Sequence, residues 1–221
     1  MTPREDFTED FGITGLTKHI TPPYVPGDEA GCLDMAALLF EREGRLYAEE
    51  MLEDARCLVE SSLSDGVLAT VWLAATGSHF DPVGAGLGIR PWLRRIEGAC
   101  LSFIRRDDPT FVPTAPGPAA DPALRDAVLA ELRGMAPALA EAAVSARCAP
   151  PLPAVVPALA AAVAELPADL GFRLFLRAVK TYFVPIGPAR KARFKEIGRR
   201  LGYHGLVVGD GNLNVWSDLV D

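Results

Sequence analysis

Histidine is nearly missing from this chain: among 221 residues only His19, His79 and His204 occur, and none stands near a cysteine pair. The four cysteines, Cys32, Cys57, Cys100 and Cys148, are scattered with no C-x-x-C spacing. Zinc clusters need thiolates and imidazoles at close, repeated spacing, so that chemistry is excluded. A di-iron bundle needs Glu-x-x-His pairs, and the acidic helical stretch supplies no histidine. With no base close to any thiol, the cysteines read as small buried hydrophobes in a reducing compartment.

Long apolar runs are lacking too. The longest, Val67 to Ala75 (VLATVWLAA), is half of the roughly 18 residues a membrane span requires. The opening MTPREDFTEDFG carries acids and has neither the basic start nor the apolar core of an export signal. The expectation is a cytoplasmic protein without membrane contact. A hydrophobic content of 49% and a mean hydropathy of +0.17 are ample for a sizeable core.

What is present is a strong asymmetry of charge. Residues 1–66 hold five basic and fifteen acidic residues, whereas residues 168–204 hold nine basic residues against Asp169 and Glu196. Opposed fields of this kind suit an interaction surface, or two parts of one fold lying against each other.

Pattern and punctuation divide the chain into an irregular N-terminal arm (1–30), an acidic helical part (31–106), a proline-rich linker (107–122, DDPTFVPTAPGPAADP) and an alanine-rich helical part (123–221). In the second part Phe40, Tyr47, Met51, Ala55 and Leu58 recur at helical steps, with Gly44 placed to divide the stretch. Ser64-Asp65-Gly66 reads as a stop, and the following VLATVWLAAT fits a buried strand or a short helix equally well. A helix opens at Pro91, with Trp92, Ile96, Cys100, Phe103 and Ile104 inward. Further helices are predicted over 122–146, with Pro137 kinking or breaking it, over 154–165, over 169–183, and over Pro188 to Leu201, where Gly202 stops the chain. Leu206-Val207-Val208 and LNVW around Asp210-Gly211-Asn212 read as a β-hairpin. The expected fold is mainly α, a helical bundle with a small C-terminal hairpin and a winged-helix-like end.

Three groups of residues carry functional readings. The helix from Pro188 turns Phe194, Ile197 and Leu201 inward and presents Arg190, Lys191, Arg193, Lys195, Arg199 and Arg200, a surface for an anion, an acidic partner or a DNA backbone. The glycine loop GSHFDPVGAGLGIR holds His79 and leads to Arg90 and Arg94, a weaker ligand site. It lacks the third glycine of a dinucleotide fingerprint, where Ile89 stands, and the G-K-[ST] of a phosphate loop. Asp210, Asn212 and Asn214 match the opening of a calcium loop, but Val215 replaces the glycine its turn needs, so no metal is assigned. No cofactor is implied. The leading expectation is a non-enzymatic interaction or assembly protein, with a protein partner or self-association. The alternatives are a DNA-binding regulator and a small-ligand protein or enzyme centred on residues 78–90.

Overall fold

The computed structural model describes residues 4–20, 27–114, 121–145, 150–209 and 212–220. Among these lie a 3-10 turn (Arg4–Asp6) and nine helices: α1 (Gly12–His19), α2 (Glu29–Glu43), α3 (Arg45–Glu60), α4 (Asp65–Thr76), α5 (Ile89–Asp107), α6 (Pro122–Val144), α7 (Val155–Glu165), α8 (Ala168–Thr181) and α9 (Pro188–Arg200). The mainly α architecture is as the periodicity predicts. None of these helices is long and apolar enough to cross a membrane.

The helix ends follow local chemistry. Asp28 opens α2 by accepting from Gly31 N (2.8 Å). Gly44, at φ +83°, divides α2 from α3, because only a residue without Cβ turns there freely. Ser64 is the N-cap of α4, accepting from Val67 N, so Ser64-Asp65-Gly66 starts a helix as well as ending one. The run after it, ambiguous by periodicity, is helical, with Leu68, Val71, Trp72, Ala74 and Ala75 buried. Pro137 neither breaks nor ends α6. It is exposed, so the carbonyl it leaves without a donor faces water. Glycine also permits close crossing at α8, where a Cβ on Gly171 would lie 3.0 Å from the Val163 backbone of α7.

The 1–30 arm is not irregular over its described part. Phe7, Phe11, Ile13, Leu16 and Ile20 are buried, and residues 12–19 form α1 against α2, α3, α4 and α8. At about 1.5–3 kcal/mol per fully buried large apolar side chain, this segment is a substantial part of the core. Helix α8 lies at the centre, with every residue from Ala168 to Lys180 buried. Helix α4 packs on both α7 and α8, so one hydrophobic core runs across the 107–122 boundary; residues 115–120 lie outside the described part.

The predicted C-terminal hairpin is corrected. No strand occurs among the described residues; Leu206 to Gly209 run through tight turns, with Val207 N donating to His204 O and Gly209 N to Leu206 O. A strand sends successive side chains to opposite faces, whereas Val207 and Val208 are both buried. Val215 instead makes an isolated parallel bridge to Ile186, just before α9. The winged-helix layout therefore lacks its wing among the described residues; Asp210, Gly211 and Asp221 lie outside them.

Gly12 sits at φ +60°, and a Cβ there would overlap the Asp54 carboxylate. Gly12→Ala is expected to lower stability by about 2 kcal/mol or more in urea denaturation, through backbone strain and displacement of that carboxylate.

Candidate functional site

On α8, Asp169, Arg173, Arg177 and Lys180 recur at helical spacing and form one charged stripe inside the protein. Buried charges are costly unless paired and hydrogen-bonded, and each of these is. Arg173 donates to both oxygens of Asp54 (2.6 Å each), to Asp169 Oδ2 (2.8 Å) and to the Phe11 carbonyl (3.1 Å), with its guanidinium 4.4 Å from the Phe11 ring. Asp54 also accepts from Ile13 N (2.9 Å), so a residue of α3 neutralises the N-terminus of α1. Tyr203 donates to Asp169 Oδ1 (2.5 Å), and Arg4 lies 3.3 Å from Asp169 and 3.4 Å from Glu50. At the other end of the stripe, Asp10 accepts from Lys180 (2.8 Å) and Arg177 (3.3 Å). Arg177 and Thr181 donate to Ala75 O, closing the C-terminus of α4.

Burial alone would raise the Asp169 carboxyl; the charges of Arg173 and Arg4, with the hydrogen bonds from Arg173 and Tyr203, hold it below its ordinary value. Glu50 goes the other way, because its burial outweighs Arg4 and Arg173. The four side chains of the stripe are buried, with no open face among the described residues. The cavity beside it, lined by Ile13, Leu58, Trp72, Ile89 and Leu174 among others, is apolar and only about 10 Å³.

The residues of the sequence-predicted basic surface lie on α9, with Phe194 and Ile197 buried and Leu201 half-buried. Its charges, however, are largely engaged within the molecule. Arg190 and Arg193 share Glu131 of α6 (3.4 and 2.5 Å), Arg199 pairs with Glu196, and Arg200 reaches Asp121. Lys191, half-buried, and Lys195, exposed, are the two cations of α9 outside an ion pair among the described residues. On the acidic side, Glu41, Glu43, Glu49 and Glu60 likewise meet Arg106, Arg42, Arg45 and Arg56.

His79 lines an open cleft of about 540 Å³ with Gly27, Asp28, Glu29, Ser78, Phe80, Asp81, Ala85 and Leu87. Its acids serve local structure: Asp28 caps α2, Glu29 pairs with Arg95, and Asp81 accepts from Val83 N and Gly84 N. Arg90 does not join His79. It binds Asp65 and the carbonyls of Leu58, Val59, Ser61 and Leu63, closing the end of α3. Arg94 is exposed on α5. The three weaker ligand candidates are thus not assembled into one site.

The part that sequence reasoning missed is aromatic and outward. Just beyond α8, Phe183 is 61% exposed at φ +52°, a backbone region unfavourable to side chains with Cβ. Trp216 is 57% exposed. One amide fixes both positions: Asn214 Nδ2 donates to Phe183 O (2.8 Å), and Asn214 Oδ1 accepts from Trp216 Nε1 (2.7 Å). The backbone adds two bonds, Ile186 N to Asn214 O and Trp216 N to Ile186 O, each 2.9 Å. The residue considered for a metal loop thus links the Phe183 backbone to the Trp216 indole.

Neither a protein-family model, nor a curated protein, nor a solved structure matches the chain.

Two outcomes follow from the electrostatics. The lowered Asp169 carboxyl contributes stability above its unfolded value near 3.8, lost as pH falls through the folded value. Asp169→Asn should therefore be less stable than the wild type at pH 7, with the gap narrowing toward pH 3, as read by urea midpoints. Burial also pushes the thiols of Cys32 and Cys57 up to about 12 and raises that of Cys100. Mass spectrometry should show these three unmodified by iodoacetamide at pH 7.5 until denaturant is added.

Proposed function

We propose that the protein is a non-enzymatic assembly module that docks onto a second copy of itself through the aromatic end of α8. The observation that carries this reading is the patch of Phe183 and Trp216, large apolar side chains directed outward from a backbone that hydrogen bonds hold in place. Trp and Tyr-like anchors dominate contact energetics, and side chains already fixed lose less freedom on binding. Burying two such rings contributes about 1.5–3 kcal/mol each.

The opposed acidic and basic surfaces supply steering more than affinity. Their charges are mostly paired locally, and exposed ion pairs are worth about 0–1 kcal/mol. A second copy suits these rings because aromatic side chains prefer offset or edge-to-face partners, and under a two-fold axis a Phe183–Trp216 contact between copies is made twice.

Sedimentation of the wild type should show a mass that rises with concentration and persists at about 0.5 M salt, where charge attractions are screened. Phe183→Ser with Trp216→Ser should be monomeric, with a melting temperature close to that of the wild type at dilutions where the wild type is also monomeric. A wild type monomeric at every concentration would overturn the proposal. So would an association abolished by salt and indifferent to the aromatic change. Retention of duplex DNA that is lost on Arg193→Glu with Arg200→Glu would replace it with the DNA-binding reading.

A further inference from the structure

Two residues of the α8 stripe each touch both the leading segment of the protein and the segment after α9. Lys180 donates to Asp10 (2.8 Å) and to the Val207 carbonyl (3.1 Å). Asp169 accepts from Tyr203 through one oxygen (2.5 Å) and faces Arg4 through the other (3.3 Å). Between these joints, Arg173 holds the Phe11 carbonyl, and the Phe11 ring meets the Tyr203 ring edge to face at 5.5 Å. Val208 in turn lies against Gly198 of α9, where a Cβ would crowd its methyl group. Departure of either segment removes a partner from a charge that the other segment also satisfies.

We propose that residues 4–20 and 203–208 are a single two-ended clasp over α8, opening and closing together although 182 residues of sequence lie between them. The physical cause is charge accounting in a low-dielectric interior. Release of Asp10 leaves Lys180 with fewer partners, which loosens its grip on Val207. Loss of the Tyr203 hydroxyl weakens Asp169, which orients both Arg4 and Arg173. A perturbation at one end therefore reaches the other through a shared residue, and linkage makes the effect reciprocal. Such a device lets an event at residues 203–208 alter the accessibility of residues 4–20.

Amide hydrogen exchange on the full chain tests this. Tyr203→Phe, which keeps the ring, should speed exchange at Gly15 and Ile20 by about ten-fold, alongside Val207 and Gly209. Asp10→Asn should do the same at Val207 and Gly209. The amides of Val128 and Leu132 in α6 should be unchanged in both variants, and the double variant should fall short of the product of the single effects. Acceleration confined to the mutated end, equal acceleration in α6, or a simple product of effects would overturn the clasp.

Discussion

The need to neutralise charge inside α8 governs this structure. A helix buried from Ala168 to Lys180 carries Asp169, Arg173, Arg177 and Lys180 on one face, and none of these can be left alone in the interior. The apolar remainder of α8 is satisfied by α4, α6 and α7, as in any helical bundle. The polar stripe demands particular partners in particular places: Asp10 from the leading segment, Asp54 from α3, and Tyr203 from the segment after α9. Hydrophobic burial would allow those pieces to pack in several ways. Bidentate and shared hydrogen bonds fix one of them.

The same constraint explains the charge asymmetry of the sequence. Arg173, Arg177 and Lys180 belong to the basic C-terminal third and Asp10 and Asp54 to the acidic beginning, and they meet inside the protein. The chain-wide separation of sign therefore records an internal contact as well as a surface. On α9 the neutralising residues are Glu131, Asp121 and Glu196, so the basic helix faces α6 rather than α3.

Much of the fold was legible because helix formation is local. The inward positions Phe40, Tyr47, Met51, Ala55 and Leu58 follow from spacing, and Gly44 divides the stretch where expected. The stripe had a signal too. Glu50 and Asp54 fall on the same inward rows as Met51 and Leu58, where an unpaired acid would be unfavourable. What spacing cannot give is the distant cation that answers them. The hairpin failed for a related reason. Val207 and Val208 have the composition of a strand, but Lys180 takes the Val207 carbonyl and the cleft by Gly198 takes the Val208 side chain. Tertiary contacts override β-propensity readily, since that propensity mostly reflects fit to a surface.

The aromatic patch and the charge stripe are not independent features. Phe183 follows Lys180 by three residues, in the turn that ends α8, with Phe183 N donating to Lys180 O. A left-handed backbone at a phenylalanine costs on the order of 1–3 kcal/mol and persists only where neighbouring structure over-determines it. Here the neighbours are the ordered end of α8, anchored by Lys180 to Asp10 and Val207, and the Asn214 amide on the other side. Lys180, held by Asp10 and the Val207 carbonyl, is also the residue whose carbonyl accepts from Phe183 N in that turn. The outward turn at Phe183 and the neutralised charges within thus share one residue, Lys180.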